Sequence, residues 1–495
     1  MSDSEKFDSD VVIGLEIHVS LNTNSKLFCS CKNSHSSEPN ENVCPVCLGH
    51  PGSRPTLNGK AVEYAVMLAK ALNFKIADNL VFSRKTYFYP DLAKNFQITQ
   101  YEEPLGKDGF VEISVEDGKG IVEKNGSDVD IKNGKKIIDK KIGLERIHIE
   151  EDPGSLIHKG NNVLIDYNRS GCPLCEIVTK PEISSPGEAR AVIKKMLTIV
   201  NYLSIFDYEN GTIKADLNVS IKKTGYKRVE IKGVSGFKDI QDALEYEISR
   251  HKESPEEVLG ETRGYDVENK ITFSQRLKES EDDYGYIYES DIVPRKLDGV
   301  FLENIFSKIP TLPDERVKKY VAGGVNRIDA ESIASLKELS DFFDWLLDKK
   351  IDKKITLRFL TRELLSTINE GMLLPRVLDD ERFRNNVMEI IRLFSERKIN
   401  NHTARETLFK VTKDLEFNAL DFIKKNNLII DSSMNLESVC EEAINESEQA
   451  VSDYHSGKTW AVNYIVGQVM KKTKGQAMPD DVKEILIRKL DAMKR

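Results

Sequence analysis

Hydrophobic and polar positions along this 495-residue chain change their periodicity once, near residue 300. Up to about residue 298, short β-type runs alternate with turns rich in Gly, Asn and Asp, and two amphipathic helical patterns interrupt them. After residue 313, apolar positions recur at helical spacing. The predicted strands include 11–19, 110–115, 142–149 and 163–166, and the predicted helices are 57–72, 186–203, 333–348, 354–368, 381–396, 436–447, 459–472 and 480–494.

These patterns predict an α+β fold with three domains. Residues 1–297 form a domain on a largely antiparallel sheet, because the strands are short and separated by turn residues. Within it, the polar segment 119–141 is predicted to be an exposed hairpin or an insertion. Residues 298–425 form an all-α helical domain, and residues 426–495 form a small helical tail domain.

The composition is that of a globular protein with a well-charged surface. Hydrophobic residues make up 39% of the chain and charged residues 31%. No run of about 18 apolar residues is present, so no membrane span is expected. The acidic start MSDSEKFDSD does not have the pattern of a secretory or transit peptide, and a cytoplasmic location is expected. The net charge of −9 means that nucleic acid would be bound only by local basic patches.

Four of the seven cysteines lie close together in two pairs, Cys29 with Cys31 and Cys44 with Cys47. Such spacings let four thiolates converge on one tetrahedral ion. Four unrelated thiols are the alternative, which the clustering disfavours. We predict a structural zinc site, because four thiolate ligands leave no position open for water.

The first strand is apolar except for Glu16 and His18, whose spacing of two places both side chains on one face. A buried, unpaired carboxylate is costly, so a divalent ion or a cationic partner is expected beside them. The alternative for any one acidic cluster in this chain is a solvated turn with a nearby salt bridge.

The carboxylates of a second acidic cluster repel one another unless a cation neutralises them. A third polar motif follows in the chain, and hard oxygen ligands of this kind suit magnesium. The second cluster comprises His148, Glu150, Glu151 and Asp152, and the third comprises Asp166, Asn168, Arg169 and Glu176.

Cations interleave with aromatic residues between these clusters, a pattern that can hold phosphate, ribose or a stacked base. An aromatic strand with exposed charges is the alternative. The residues concerned are Arg84, Lys85, Tyr87 and Lys94. Further along, Asp216 and Asn218 lie on one face of another alternating run.

Several segments, taken in order, resemble one family, the B subunits of the aspartyl/glutamyl-tRNA(Asn/Gln) amidotransferase. They are GLEIH (14–18), KLFC (26–29), VCPVCLG (43–49), RK with YFYPD (84–91), RIHIEED (146–152), DYNR (166–169), EIV (176–178), ETR (261–263) and VGQVM (466–470). The resemblance spans nearly the whole chain and is densest over residues 11–291. The combination is far more specific than any one segment.

The resemblance implies a reaction. The family enzyme phosphorylates the side-chain carboxylate of Glu-tRNA(Gln) or Asp-tRNA(Asn) with ATP, and ammonia then displaces the phosphate. The amidase, or A, subunit releases the ammonia from glutamine, and the small C subunit holds the other two together. The implied cofactors are ATP, Mg²⁺ and structural Zn²⁺, and the implied partners are these two subunits and tRNA(Gln) and/or tRNA(Asn) charged with Glu or Asp.

The resemblance also implies roles for individual residues. Those that look like the family's magnesium site are Glu16, His18, Glu150, Glu151 and Glu176. His148 and Asp152 would handle protons of the attacking ammonia. The residues that would bind phosphates or substrate are Arg84, Lys85, Tyr87, Lys94, Asn168, Arg169, Asp216 and Asn218.

The family architecture is a cradle-shaped catalytic domain, a helical domain and a helical tail. Tail residues 469–495 carry eight Lys/Arg against four Asp/Glu, a local excess that can contact tRNA backbone. An ordinary charged helix is the alternative. The chain departs from the family pattern at Gly233, usually Asn, at Gly285, usually Arg, and at Cys172 and Cys175, usually apolar. The missing arginine removes a charged contact near the expected site.

Two other functions fit the same motifs. The related E-type subunit makes only Gln-tRNA, and it carries a large insertion near Pro294 that is absent here, where residues 296–313 lead directly into helices. A non-catalytic zinc-containing tRNA-binding adaptor would keep the cysteine cluster beside an inactive acidic site.

Overall fold

The computed structural model describes residues 9–34, 38–116, 131–132, 135–206, 213–277, 285–371, 373–430, 435–473 and 476–493. The chain divides into two compact units, Met1–Glu315 and Arg316–Arg495. Of the segment 119–141, only residues 131–132 and 135–141 are described, so its prediction as an exposed hairpin or insertion falls largely outside the described residues.

The first unit carries the strands. They are β1 (Val11–Ser20), β2 (Lys75–Ile76), β3 (Asn79–Leu80), β4 (Ser83–Thr86), β5 (Phe96–Thr99), β6 (Gly106–Glu116), β7 (Ile131–Lys132), β8 (Lys135–Glu151), β9 (Ser155–Lys159), β10 (Asn162–Asp166), β11 (Pro173–Thr179), β12 (Ile213–Ile221), β13 (Val229–Ser235), β14 (Glu261–Asp266), β15 (Ile271–Leu277), β16 (Gly285–Tyr288) and β17 (Arg295–Lys296).

Most of these strands join one large sheet. Its order in the described part of the chain is β15-β14-β13-β12-β1-β11-β8-β6-β2, with β7 beside β8. Its neighbours run antiparallel except β13 and β14, which are parallel. The three small sheets are β16-β4-β5, β10-β9 and β17-β3. The predicted α+β fold with a largely antiparallel sheet is therefore confirmed.

Helices cover the apolar face of the large sheet. They are α1 (Gly59–Ala71), α2 (Pro186–Leu203), α3 (Phe237–Glu253) and α4 (Gly299–Phe306). The next helix along the chain, α5 (Pro313–Ala322), has Tyr320 in a separate hydrophobic cluster. Ile13, Leu15 and Ile17 alternate along β1 and are buried in one hydrophobic cluster with residues of helices α1 to α4. Because side chains alternate along a strand, Gly14, Glu16 and His18 lie on the opposite face.

Helix ends follow from capping residues. The Ser185 side chain accepts a hydrogen bond from the backbone N–H of Glu188, and Pro186 occupies the first turn of α2, as is usual at helix starts.

The helix α3 was not predicted, because its sequence is dominated by charged residues. Its inner face buries Ile240, Ala243, Leu244 and Ile248 together with the charged Glu247.

The second unit consists of helices and short 3₁₀ and π turns. The helices are α6 (Arg327–Ile333), α7 (Lys337–Asp348), α8 (Lys353–Arg358), α9 (Leu365–Asn369), α10 (Glu381–Ser395), α11 (Asn401–Lys413), α12 (Ala419–Lys425), α13 (Leu436–Asn445), α14 (Glu448–His455), α15 (Val462–Lys472) and α16 (Pro479–Met493). The predicted helix 354–368 is divided by a π-helical turn at Phe359–Leu364.

Two separate hydrophobic clusters lie in this helical part, one between Tyr320 and Ile423 and one between Cys440 and Leu490. The division of the chain into domains 1–297, 298–425 and 426–495 stays a prediction. No helix in the described part of the chain is long and apolar enough to cross a membrane.

Candidate active site

The polar face of the large sheet brings together acidic and imidazole side chains from five adjacent strands. His18 on β1 is the direct cross-strand partner of Glu176 on β11, and Glu176 is the partner of His148 on β8. On the other side of β1, Glu16 faces Asp216 on β12. The pairing of residues between neighbouring strands therefore assembles the site. The spacing of residues within one strand does not reveal that pairing.

His18, Glu150 and Glu176 form one group that can hold a metal ion, because one ligand atom from each lies within 4.8 Å of the others. The Nε2 atom of His18 is 3.3 Å from Glu176 Oε2 and 3.8 Å from Glu150 Oε1. The Nε2 atom of His148 lies between the same carboxylates, 3.4 Å from Glu176 Oε2 and 3.5 Å from Glu150 Oε2. Two imidazoles thus alternate with two carboxylates.

Burial and charge oppose each other at these imidazoles. Burial alone would lower the pKa of His18, but the hydrogen bond to Glu176 and the charges of Glu176 and Glu150 raise it to about 10. The pKa of His148 is likewise raised to about 9 by the same carboxylates against burial. The pKa of Glu176 is held well below its usual range, because the two imidazoles outweigh its own burial. The group is therefore built around opposite charges.

Glu16, Asp216 and Glu230 form a second group whose ligand atoms lie within 4.8 Å of one another. Burial, together with the charges of Glu176, Asp216 and Glu230, raises the pKa of Glu16. Lys232 Nζ is 2.8 Å from Glu230 Oε1 and 3.3 Å from Asp216 Oδ2, so a cation already lies at one side. Three carboxylates around one point favour a further cation, and their oxygens suit magnesium.

Two residues support this second group from β12 and β13. Asn218 Nδ2 donates to Glu16 Oε1 at 2.9 Å. The backbone N–H of Gly233 donates to Asp216 Oδ1 at 2.7 Å. Gly233 has a φ of +65°, which Asn also tolerates, so the usual Asn and the Gly found here fit the same backbone.

A cavity of about 410 Å³ adjoins the second group on the same sheet face. Gly14 lies at its floor, and a Cβ there would meet only Asn218 Cβ, at 3.9 Å, so the backbone of β1 is open to a ligand. Its other lining residues include Glu16, Val178, Tyr226 and Arg228. A volume of this size is in the usual range for small-molecule sites, roughly 300–1,000 Å³.

Glu151, which the sequence placed with the magnesium ligands, and Asp152, a predicted proton handler, are each paired with a cation of the chain. Both carboxylate oxygens of Glu151 contact Lys94 Nζ, at 2.6 and 2.5 Å, and Glu151 is not part of the group of His18, Glu150 and Glu176. Asp152 is 3.3 Å from Arg169 Nε, and burial raises the pKa of its carboxyl. Lys94 and Arg169, expected to bind phosphate or substrate, are thus engaged by carboxylates of the chain itself.

The other predicted substrate contacts also have partners within the chain. Arg84 binds the buried Glu289 through two hydrogen bonds, Nε to Oε2 at 2.7 Å and Nη2 to Oε1 at 2.9 Å. The ammonium of Lys85 lies 5.9 Å from the centre of the Tyr87 ring. Asn168 Nδ2 donates to the carbonyl of Glu38, at 2.7 Å, in the loop that also carries Cys44.

The four cysteines converge as predicted. Cys29, Cys31, Cys44 and Cys47 each offer a sulfur within 4.8 Å of the others. The sulfurs of Cys44 and Cys47 are 3.9 Å apart, close to the roughly 3.8 Å expected for tetrahedral zinc with Zn–S bonds of about 2.3 Å. The group can therefore hold a metal ion such as zinc.

The pKa shifts favour the thiolate form at one cysteine of this cluster, Cys47, whereas the hydrogen bond with Cys47 raises the pKa of Cys29 and burial raises that of Cys31 to about 11. A hydrogen bond with Cys29 lowers the pKa of Cys47 to about 5, and the backbone N–H of Cys44 and the ammonium of Lys26 add to that effect against burial. Lys26 is fully buried, and its Nζ lies 3.8 Å from Cys47 Sγ and 2.8 Å from the carbonyl of Asn42. Cys172 and Cys175 are buried among core residues, in agreement with a packing role.

Sequence reasoning did not assign a role to Glu230, Lys232, Glu289 or Lys26. Glu230 and Lys232 were visible as alternating polar positions in an apolar strand, which is the signal that identified Glu16 and His18. Glu289 and Lys26 gave no such signal, because their burial depends on partners distant in sequence.

Comparison with known proteins gives a consistent result. A family model described as the GatB/GatE catalytic domain matches residues 11–303, and one described as the GatB domain matches residues 341–490. Relatives named as the B subunit of aspartyl/glutamyl-tRNA(Asn/Gln) amidotransferase occur in Carboxydothermus hydrogenoformans, 38% identical over 97% of this chain and 98% of the relative, and in Thermotoga maritima, 37% identical over 97% and 98%. One from Haloquadratum walsbyi is 37% identical over 98% of both chains.

Proposed function

Since the chain belongs to the family of aspartyl/glutamyl-tRNA(Asn/Gln) amidotransferase B subunits, we propose that its polar sheet face phosphorylates the side-chain carboxylate of Glu or Asp on tRNA and then converts it to the amide. The observation that carries the proposal is the pair of ligand groups on that face, one of which adjoins a cavity through Glu16. We call the group of His18, Glu150 and Glu176 the outer group, and the group of Glu16, Asp216 and Glu230 the inner group.

The chemistry needs two steps. A carboxylate oxygen of the substrate attacks the γ-phosphorus of ATP, the bond from that phosphorus to the β-phosphate oxygen breaks, and an acyl phosphate and ADP form. Ammonia then attacks the acyl carbon, loses a proton, and the amide forms as inorganic phosphate leaves. Activation is required because the oxygen of an unmodified carboxylate is a poor leaving group.

Both reactants are anionic, so the acidic face must be neutralised before they approach. The carboxylate oxygens of the two groups suit Mg²⁺, which when bound neutralises charge on phosphate oxygens, and the imidazole of His18 would have to be neutral to join them. The outer and inner groups would hold such ions, and Lys232 supplies a fixed positive charge beside the inner group. We place Glu151 outside the ion sites, because Lys94 contacts both of its oxygens.

The cavity would take the nucleoside of ATP, with its phosphates toward the inner group. Gly14 leaves the strand backbone open to a flat ligand, and Tyr226 and Arg228 offer an aromatic ring and a cation at the wall. His148 and Asp152 remain the candidates to handle the protons of ammonia, since His148 is buried between the carboxylates of the outer group and Asp152, half-buried, lies two residues along the chain from Glu150.

The proposal includes partners. Ammonia would come from the amidase (A) subunit, and the small C subunit would hold the complex together. In the tail, Trp460 and Tyr464 are exposed aromatic residues that can stack on bases. Several tail cations, namely Lys472, Arg488 and Lys489, form ion pairs with acidic residues of α13, which weakens the case for a purely electrostatic tRNA contact. Structural zinc would occupy the four-cysteine cluster.

Transfer of phosphate from γ-labelled ATP tests the function. The complex of this chain with its partner subunits would receive Glu-tRNA(Gln) or Asp-tRNA(Asn) without an ammonia donor, so that the acyl phosphate accumulates. We expect label on the aminoacyl-tRNA for the unaltered complex, and its loss in Glu16→Gln with tRNA binding retained. Glu112→Gln, at an exposed position of β6, is the control.

Other outcomes discriminate the alternatives. Unchanged labelling in Glu16→Gln, or none with the unaltered complex, would favour the non-catalytic adaptor. Labelling of Glu-tRNA alone would be the behaviour of the E-type subunit. We favour the B type because β17 ends at Lys296 and α4 begins at Gly299, which leaves no room there for an inserted domain.

A further inference from the structure

We infer that the four-cysteine loop positions the outer group through one contact, between the backbone of Gly49 and the side chain of Lys94. Lys94 and Gly49 are then positioning residues for the reaction, and the metal centre acts on the active site from outside it. The inference rests on the proposed function, because that function assigns an ion to the outer group.

Gly49 lies two residues after Cys47, in the turn that begins at the second cysteine pair. The backbone N–H of Gly49 donates to the carbonyl of Val46 at 3.1 Å, and that of His50 donates to the carbonyl of Pro45 at 2.8 Å. A Cβ at position 49 would lie 2.5 Å from Lys94 Cγ and 3.0 Å from Lys94 Cβ. The turn is therefore packed against the stem of Lys94 with no space for a side chain.

Lys94 in turn fixes Glu151. Its Nζ is 2.6 and 2.5 Å from the two carboxylate oxygens, and both side chains are almost fully buried. Glu151 Oε2 also accepts the backbone N–H of Ile98 at 3.0 Å, and the carbonyl of Glu151 accepts Gln97 Nε2 at 2.6 Å. These contacts hold the end of β8 against β5.

The residue before Glu151 is a ligand of the outer group. Glu150 Oε2 accepts a hydrogen bond from Thr99 Oγ1 at 3.3 Å, on the same strand that holds Glu151. Because Glu150 and Glu151 share one peptide unit, a shift of the main chain at Glu151 moves the Glu150 carboxylate. Bound-ion geometry tolerates only small displacements of its ligands.

The cysteine cluster also lies near Glu151 on a second side, with Gly171 between them. Gly171 has a φ of +85°, and a Cβ there would lie 3.5 Å from Cys47 Cβ and 3.6 Å from Glu151 Oε1. Cys47 and the Glu151 carboxylate thus flank one glycine. The cluster thus lies close to Glu151 at Gly171, but the contact that transmits a displacement is the one between Gly49 and Lys94.

Gly49→Ala tests the inference, with Gly52→Ala as the matched control. Both glycines have positive φ and lie in the same loop, but a Cβ at position 52 has nothing within 4 Å. Backbone strain is therefore common to both variants, and only Gly49→Ala displaces Lys94. The readouts, on the complex with partner subunits, are zinc content by elemental analysis and Mn²⁺ affinity by EPR titration.

We expect both variants to keep the zinc of the unaltered complex. Gly49→Ala should weaken Mn²⁺ binding by roughly tenfold, the lower end of what loss of support around a metal ligand does. Gly52→Ala should stay within about twofold of the unaltered complex. The double variant Gly49→Ala/Lys94→Ala should bind Mn²⁺ no more weakly than Lys94→Ala alone, because the effect passes through Lys94.

If Gly49→Ala keeps its full zinc content and binds Mn²⁺ as tightly as the unaltered complex, the inference is overturned. If Gly49→Ala does not fold, Lys94→Ala decides, and full zinc with unchanged Mn²⁺ affinity overturns it equally. A complex that binds Mn²⁺ normally but forms no acyl phosphate counts against the proposed function alone. No Mn²⁺ binding by the unaltered complex removes the ion site, and the inference falls with it.

Discussion

The Nε2 atom of His18 lies 3.3 Å from Oε2 of Glu176, its direct partner across the β1–β11 pair. The contact arises because the antiparallel pairing of the two strands places the histidine directly opposite the glutamate. Glu176 also lies 3.4 Å from His148 Nε2, so one carboxylate oxygen serves two imidazoles. Glu176 is therefore the central ligand of the outer group.

Glu176→Gln should impair ion binding more than folding. The amide keeps the size of the side chain but loses the negative charge. Loss of a residue that only supports a metal ligand typically lowers metal affinity by roughly 10–100-fold, so we expect at least a tenfold loss of Mn²⁺ affinity when a ligand itself is changed. Acyl-phosphate formation should fall in parallel. EPR titration and phosphate transfer measure both effects, and unchanged Mn²⁺ affinity would contradict the assignment of the outer group.

The sequence predicted which residues share a face of one strand, but it did not predict that the site consists of two separate ligand groups. The alternation along β1 placed Glu16 and His18 on one face, and the structure confirms that placement. Their separation into two groups follows from different neighbours, because β12 brings Asp216 to Glu16 and β11 brings Glu176 to His18. Strand order and register are tertiary properties, and spacing within one segment cannot reveal them.

The cysteine cluster was predictable because all four ligands lie in one short segment. Lys94 and Arg169 show the opposite case. Cations near acidic motifs suggested phosphate contacts, but the structure pairs them with Glu151 and Asp152. A sequence gives the charge of a side chain, whereas its partner depends on which carboxylate the fold brings within reach.

Removal of one cysteine should release the metal and destabilise the loop. We expect close to one zinc per unaltered chain, and a large loss in Cys44→Ser, because a structural zinc site contributes folding free energy directly. Elemental analysis and thermal unfolding measure both effects. Cys440→Ser, in the tail helix α13, is the control for loss of a buried thiol and should keep the zinc.

Arg84→Lys should lower stability rather than nucleotide affinity. Arg84 binds the fully buried Glu289 through two parallel hydrogen bonds, and a lysine ammonium cannot reproduce that geometry. We expect a loss of about 1–3 kcal/mol in the free energy of unfolding, as for a weakened hydrogen bond to a buried charge. Urea unfolding and the KM for ATP measure the two effects. A raised KM at unchanged stability would contradict this interpretation and restore Arg84 as a phosphate ligand.

Two strand glycines should respond oppositely to alanine. A Cβ at Gly285 would come no closer than 3.6 Å to any atom, whereas one at Gly264 would lie 2.4 Å from Phe273 Cζ. Because alanine has less backbone freedom than glycine to lose on folding, Gly285→Ala should stabilise the protein by roughly 0.4–1 kcal/mol. Gly264→Ala should destabilise it by about 1–3 kcal/mol through overpacking. Urea unfolding measures both, and a destabilised Gly285→Ala would show that position 285 has less room than its contacts indicate.

Glu247 should make stability depend on acid pH. It is fully buried on α3, where Arg250 Nε and His251 Nε2 each lie 3.0 Å from its Oε1, and Thr272 donates to its Oε2 at 2.6 Å. Burial alone would raise the pKa of Glu247, but the hydrogen bonds from His251, Arg250 and Thr272 lower it to about 2. The carboxylate therefore stabilises the folded state above its ordinary pKa, near 4.5.

That stabilisation should be lost as the pH falls from about 4.5 through about 2. Glu247→Gln removes the charge, so it should be less stable than the unaltered chain at pH 7 by on the order of 3 kcal/mol. The difference should shrink as the pH is lowered, because the unaltered carboxyl then takes up a proton too. Glu245→Gln, exposed on the same helix, should change stability by less than about 0.5 kcal/mol. Urea unfolding at pH 7, 4.5 and 3 measures these differences. A difference in unfolding free energy between Glu247→Gln and the unaltered chain that stays constant with pH would contradict the lowered pKa of Glu247, because a purely steric effect does not depend on protonation.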